Sequence, residues 1–130
     1  MLRLARTSAL LSALALLAAV PALASARSDA PTAQAARSCH LTIHQQQHLG
    51  TTYVTSLRVS GTSCRNGRTV VKSFNSCRHE HHHRAGSCHH RVHGYRCSEH
   101  RYNKSRFSYD SLTKCKKRGR QVAFRYTQNT

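Results

Sequence analysis

Hydrophobic residues form two patterns along this chain, a continuous run at the amino terminus and short periodic segments after it. Arg3 and Arg6 precede an apolar run over 8–20, and a proline then leads into an Ala-Ser-Ala motif at 24–26. This arrangement is typical of a secretory signal peptide with its cleavage site. We therefore predict a signal peptide at 1–26. No later apolar run approaches the ~20 residues of a membrane-spanning helix, so we expect no transmembrane segment after cleavage.

After a polar segment at 27–38, which we predict to be a flexible leader, period-two alternation predicts several strands. The first is a short edge strand around Leu41 and Ile43, followed by a glutamine-rich loop. A longer strand follows, with Tyr53, Thr55, Leu57 and Val59 on one face. Three more strands are predicted at 92–97, 107–112 and 121–126, the last with Val122, Phe124 and Tyr126 facing inward.

Between 63 and 78 the apolar residues change to helical spacing. Val70, Val71, Phe74 and Cys77 fall on one side, and Thr62 or Ser63 is a suitable N-cap. Four cations are predicted to face solvent: Arg65, Arg68, Lys72 and Arg78. The order of elements predicts an α+β fold for 39–130, a small disulfide-stabilised domain in which one helix packs on an antiparallel sheet of four to five strands.

Six cysteines all follow the predicted signal peptide: Cys39, Cys64, Cys77, Cys88, Cys97 and Cys115. An even number in an exported chain indicates three disulfides. Six cysteines allow fifteen pairings, and the sequence does not choose among them. We favour Cys77–Cys88, because these two residues bracket a histidine-rich loop at 78–91. For the others we expect Cys64, at the helix start, to bond a strand cysteine.

Three cysteine-containing motifs carry a resemblance to known proteins. They are Gly61-Thr62-Ser63-Cys64, then Gly94-Tyr95-Arg96-Cys97, and then Cys115 followed by Gly119, Val122 and Phe124. The chain resembles, over about 53–127, a group of small secreted cysteine-containing proteins of high-GC Gram-positive bacteria, which share the patterns G-x-S-C, G-aromatic-x-C and C…G…V-x-F. The resemblance implies export and a disulfide-stabilised fold, and it implies no active site.

The charge of the chain points to anionic partners. It has 21 Lys and Arg against 4 Asp and Glu, a formal net charge of +17 at pH 7. Such a protein is expected to bind nucleic acid, anionic cell-wall polymers or anionic lipid surfaces. The candidate anion-binding residues are Arg96, Arg101, Lys104, Arg106, Lys116, Lys117, Arg118 and Arg120. Tyr95, Phe107 and Tyr109, which lie among these cations, are expected in the core.

The histidine-rich loop suggests metal binding as an alternative function. Neutral imidazoles bind Zn(II), Cu(II) and Ni(II), and a dense tract offers several ligands at once. Zinc or copper would be the cofactor, and the candidate ligands are His79, His81, His82, His83, His89 and His90. His40, His44 and His48 also have helical spacing, but they surround a predicted strand, so we interpret that spacing as coincidence.

Enzymatic function receives little support from the composition, because the chain has only four carboxylates for acid–base chemistry. The best catalytic candidate is Glu99-His100 beside Arg101, which would suit a small secreted ribonuclease. We favour a non-enzymatic domain that binds anionic polymers at the cell exterior. The metal-binding module and the ribonuclease remain the alternatives.

Overall fold

The computed structural model describes residues 34–80 and 86–130, and the predicted signal peptide lies outside this range. In chain order, the described elements are β1 (Arg37–Ser38), α1 (Ile43–Gln47), β2 (Tyr53–Ser60), α2 (Cys64–Glu80), β3 (Arg96–Tyr102), β4 (Ser108–Lys117) and β5 (Arg120–Asn129). One main helix packs on a five-stranded antiparallel sheet, so the predicted α+β fold is confirmed.

The sheet has the strand order β1-β2-β5-β4-β3, which places β5 at its centre. Strands β4 and β5 form a hairpin in which Lys117 pairs with Arg120, leaving a two-residue turn. Gly119 in this turn has a φ of +66°, a left-handed conformation that glycine adopts without steric strain. The turn is this short because β4 continues to Lys117 and β5 starts at Arg120.

Three features of its sequence let helix α2 form and pack closely on the sheet: a serine cap, a buried apolar face and a glycine at position 67. The Ser63 hydroxyl accepts a hydrogen bond from the Asn66 amide at 3.1 Å, which caps the amino-terminal end. Val70, Val71 and Phe74 are buried, and the Phe74 ring meets Phe124 edge-on. A Cβ at position 67 would lie 2.7 Å from Cγ1 of Val59. Gly67 thus lets the helix approach β2 more closely than another residue would.

The short strand predicted around Leu41 and Ile43 is wrong, because this segment leads into helix α1. Thr42 and Gln45 form a capping box in which the Thr42 hydroxyl accepts from the Gln45 amide, and the Gln45 side chain accepts from the Thr42 amide. Leu41 is buried, but Ile43 is 74% exposed. The alternation of two apolar residues was too short to outweigh the helix-start signal that follows it.

A register shift changes the buried face of β2. The pairing with β5 is irregular between Val54 and Ser56. As a result Val54 is buried together with Leu57 and Val59, whereas Tyr53 and Thr55 are exposed. The prediction that Tyr53 and Thr55 share a face with Leu57 is therefore wrong, because a β-bulge breaks strict alternation.

The sheet begins earlier than predicted, one strand begins later, and one residue predicted in the core is exposed. The sheet already begins at Arg37, within the segment predicted as leader, since β1 pairs with the end of β2. The strand predicted at 92–97 starts only at Arg96, because Val92 and Tyr95 pair across a tight turn that precedes it. Phe107, predicted in the core, is 70% exposed just before β4, whereas Tyr95 and Tyr109 are buried as expected.

All six cysteines form disulfides, which join Cys39 to Cys64, Cys77 to Cys88, and Cys97 to Cys115. The first bond ties the segment after β1 to the start of α2. The second is the pair favoured from the sequence, and it joins α2 to the chain that follows residue 85. The third links cross-strand partners on β3 and β4.

A candidate cationic binding surface

The two faces of the sheet differ in burial. The side chains that face α2 are buried and apolar in large part, including Leu57, Val122 and Phe124. The residues that alternate with them are exposed or half-buried. We call this second set the open face; its central residues are Arg58, Arg96, Ser98, His100, Tyr102, Leu112, Lys114, Lys116, Ala123 and Arg125.

Strand register brings cations from four strands together on the open face. Ala123 pairs with Arg58 on one side and with Lys114 on the other, so that two cations flank one small side chain. Arg125 is the next residue of β5 on the same face, two positions after Ala123. On the neighbouring strands, Arg96 of β3 pairs with Lys116 of β4. Neighbouring strands lie about 4.8 Å apart, and alternate residues along a strand about 6.6 Å apart. The five cations therefore form a two-dimensional array rather than a linear run.

Asp110 is the acidic residue at the far end of the open face from Arg96. Its carboxylate accepts hydrogen bonds from the Thr127 hydroxyl at 2.7 Å and from the Asn103 amide group at 2.9 Å. These hydrogen bonds lower the pKa of Asp110 below its usual value, and the one from Thr127 has the largest effect. Asp110 is consequently ionised at neutral pH, where it limits the positive potential at this end of the sheet.

A groove continues the open face at the β4–β5 hairpin. It encloses a volume of about 1090 Å³. Of the described residues, six cations and no acidic side chain line it. The cations are Arg91, Arg96, Lys116, Lys117, Arg118 and Arg120. We call this the hairpin groove. Because Arg96 and Lys116 belong to both regions, the open face and the hairpin groove form one continuous cationic surface.

The structure separates the predicted anion-binding residues into three groups. Five of them line the hairpin groove: Arg96, Lys116, Lys117, Arg118 and Arg120. Lys104 and Arg106 are exposed in the connection between β3 and β4. Arg101 lies on the helix-facing side of β3, where its Nε is 2.9 Å from a carboxylate oxygen of Glu99. Arg101 is thus engaged in an internal ion pair.

Sequence reasoning missed Arg58, Arg91, Lys114 and Arg125. Arg58 and Arg125 are far apart along the chain, and only the pairing of β2 with β5 makes them neighbours. Their outward direction was nevertheless visible in the alternation of each strand. The strand order was not visible in the sequence, and it is the strand order that determines which cations share a face.

The predicted outward position of Arg78 is wrong, since this side chain is completely buried. Its guanidinium donates hydrogen bonds to the Tyr126 hydroxyl and, at 3.3 Å, to the Gln128 side-chain oxygen. It also lies 3.8 Å from Oε1 of Glu99. The Tyr126 hydroxyl in turn donates to Glu99, and burial raises the pKa of Tyr126 well above its usual range. Arg78 is therefore part of a buried polar network beneath the carboxyl-terminal end of α2.

The candidate catalytic group is split by the sheet. Glu99 and Arg101 face the helix side, whereas His100 projects from the open face. There its ring is stacked with that of Tyr102, with 6.3 Å between the ring centroids. Successive residues of a strand point to opposite faces, so adjacency in sequence does not bring Glu99 and His100 together. The proposed acid–base cluster of a ribonuclease is not assembled from these residues.

The candidate metal ligands are only partly within the described chain. His79, His89 and His90 are exposed, and His81, His82 and His83 lie outside the described residues. Over 34–80 and 86–130, no group of three or more His, Cys, Asp or Glu is placed to hold a metal ion. The interpretation of the spacing of His40, His44 and His48 as coincidence is wrong for two of them, because His44 lies in α1 and His48 directly follows it.

Comparisons with protein-family models, with curated proteins and with solved structures find no match to this chain. Within its described portion, no helix has both the length and the apolar character that crossing a membrane would require.

Proposed function

We propose that this protein is an exported, non-enzymatic domain that binds anionic polymers at the cell exterior through its cationic surface. The observation that carries the proposal is the array of Arg58, Arg96, Lys114, Lys116 and Arg125 on one sheet face, continued by the hairpin groove with its six cations among the described residues. A polymer with regularly spaced negative charges can contact several such cations at once, and it releases its counterions as it does so.

Export is supported by two independent features. The amino-terminal sequence has the three parts of a signal peptide, and three disulfides join all six cysteines. Disulfides persist in oxidising compartments and are rare in the cytosol. The resemblance to small secreted proteins of high-GC Gram-positive bacteria is in accord with this location, and wall polymers, nucleic acid and anionic lipid would all be accessible there.

The aromatic content of the surface favours recognition of backbone charge over recognition of bases. Tyr95 is buried, and the Lys117 ammonium lies 5.7 Å above its ring. Tyr102 is half-buried against the His100 ring. Stacking contacts with bases need exposed rings along the path of the polymer. The hairpin groove offers cations instead, so we expect binding to depend on charge density more than on sequence.

Salt-dependent binding tests this proposal. A short fluorescein-labelled DNA duplex is titrated with the oxidised mature protein at several salt concentrations, and unlabelled polyphosphate serves as a competitor. The wild-type slope of log K against log[salt] should be steep, with about −0.9 for each phosphate contacted. In Arg58→Gln/Lys114→Gln/Arg125→Gln, the magnitude of the slope should fall by about 2 to 3. A flat salt response, or an unchanged slope in the variant, would contradict the proposal.

A further inference from the structure

A second cationic pocket lies between α1 and α2, apart from the surface described above. It encloses about 390 Å³ and is lined by His44, Gln45, His48, Leu49, Arg65, Arg68, Thr69 and Lys72. We call it the α1–α2 pocket. Among the described residues, its charged and titratable groups are the imidazole of His44 in α1, the imidazole of His48 directly after α1, and three cations from α2, with no carboxylate. None of these residues belongs to the open face or to the hairpin groove.

The two imidazoles of the pocket are in direct contact. The rings of His44 and His48 stack with their centroids 3.9 Å apart and an interplanar angle of 16°. The Nδ1 atom of His48 lies 2.7 Å from the backbone oxygen of His44. Because a carbonyl oxygen only accepts hydrogen bonds, this Nδ1 carries a hydrogen in the neutral ring. A proton taken up by His48 on acidification therefore binds at Nε2.

The two rings of this pair lie against each other and line the same pocket as Arg65, Arg68 and Lys72. An anion bound there would attract all three cations, and it would attract the two rings more strongly in their protonated form than in their neutral form. Anion binding and proton uptake are then coupled, so each promotes the other. Histidine side chains exchange their proton in the mildly acidic to neutral range, where this coupling would be effective.

The same geometry disfavours a metal cation in the pocket. One ring nitrogen of His48 is committed to the backbone oxygen of His44, and a cation would meet three positive side chains with no carboxylate among the described lining residues to offset them. Phosphate oxygens, in contrast, match the hydrogen-bond donors present: guanidinium and ammonium groups, and imidazolium. The chemistry of the lining thus selects an oxyanion, and its several cations select one with several charges.

We propose that the α1–α2 pocket binds a small anion carrying several phosphate groups, and that His44 and His48 make this binding tighter as the pH falls. The proposal is independent of polymer binding at the cationic surface, since it uses different residues and a ligand of different size.

The test is a titration of the mature protein with tripolyphosphate at pH 7.5 and at pH 5.5, followed by ¹H–¹⁵N NMR. The backbone amides of Arg65 and Thr69 report on the pocket itself, even when anions also bind elsewhere. For the wild type we expect saturable shifts of these amides, with at least fivefold tighter binding at the lower pH. In His44→Gln/His48→Gln the ratio of the two affinities should fall below twofold. Titration of the phosphate itself affects both proteins equally and cancels in this comparison.

Two further variants keep the proposal open to refutation. Arg65→Gln/Arg68→Gln should weaken binding at least fivefold at both pH values, because it removes charge that does not titrate in this range. His89→Gln/His90→Gln, which removes two exposed histidines elsewhere, should retain the wild-type ratio. Amide shifts that do not saturate, or a pH ratio that survives in His44→Gln/His48→Gln, would overturn the proposal. Binding to Lys114→Gln/Arg125→Gln at the wild-type affinity would show that the pocket acts separately from the open face.

Discussion

Glu99 and Arg78 form an ion pair in the interior of the protein, with 3.8 Å between Oε1 of Glu99 and Nη1 of Arg78. The Arg78 side chain is completely buried, and the Glu99 side chain is 10% exposed. Glu99 also accepts from the Tyr126 hydroxyl and pairs with Arg101. One carboxylate thus balances two cations in a region that excludes most water. The network explains why a small domain tolerates an arginine within its core.

Glu99→Gln should destabilise the protein strongly, because it leaves the buried charge of Arg78 without its counter-ion. Breaking a buried pair in this way typically costs about 3 kcal/mol in the free energy of unfolding. Urea denaturation of the oxidised protein measures this loss. Glu80→Gln, which changes an exposed carboxylate, is the matched control and should change stability by less than about 0.5 kcal/mol. Equal effects of the two substitutions would show that the network contributes nothing specific.

Gly67→Ala should also destabilise the protein, although alanine favours helices by about 1 kcal/mol over glycine. The added Cβ would lie 2.7 Å from Cγ1 of Val59, a contact that forces α2 away from the sheet. Overpacking of this kind costs about 1–3 kcal/mol. Thermal denaturation measures the effect.

A second variant tests the cause of the Gly67→Ala effect. In Val59→Ala/Gly67→Ala the clash is relieved, so the double variant should be more stable than the sum of the two single effects predicts. Strict additivity would mean that the loss at position 67 arises from something other than the contact with Val59.

Asp110 should contribute to the acid stability of the fold. Its pKa is lowered in the folded protein by hydrogen bonds from Thr127 and Asn103, compared with about 3.9 in an unfolded chain. Its contribution to stability is therefore complete above the unfolded pKa and is lost as the pH falls through the lower, folded pKa. Asp110→Asn should be less stable than the wild type at pH 6, and the difference should shrink below about pH 4.

Melting temperatures between pH 2 and pH 6 check this prediction. Lys104→Gln, in the connection before β4, serves as a control whose difference from the wild type should not depend on pH in this range. A constant difference for Asp110→Asn down to pH 2 would show that its hydrogen bonds do not favour the ionised form.

The sequence was most informative where one periodicity extended over many residues. The helix predicted at 63–78 corresponds to Cys64–Glu80, and the inward positions of Val122, Phe124 and Tyr126 are confirmed by their burial. Short segments were less reliable. The two apolar residues at 41 and 43 suggested a strand, whereas the Thr42–Gln45 capping box makes a helix. In this segment, local hydrogen bonds determine the secondary structure, and the hydrophobic pattern does not.

The candidate site could be predicted only in part, because it depends on strand order. The cations of 116–120 are neighbours in sequence and also in the hairpin groove. Arg58 and Arg125 become neighbours only through the pairing of β2 with β5, which no local pattern encodes. Arg78 was assigned to the helix exterior because of its charge. Its partners, Glu99 and Tyr126, lie on strands that come later in the chain, so their proximity was not visible in the helix sequence.

The most direct test of the central claim compares two variants with the same net charge. Lys114→Gln/Arg125→Gln removes two cations from the open face, and Lys104→Gln/Arg106→Gln removes one lysine and one arginine from the connection between β3 and β4. The affinity of each for the labelled DNA duplex is measured by fluorescence anisotropy at one moderate salt concentration. We predict that the open-face variant binds roughly tenfold more weakly than the wild type, and that the control loses less than twofold. Equal losses in the two variants would contradict a defined surface and would show that net charge alone determines binding.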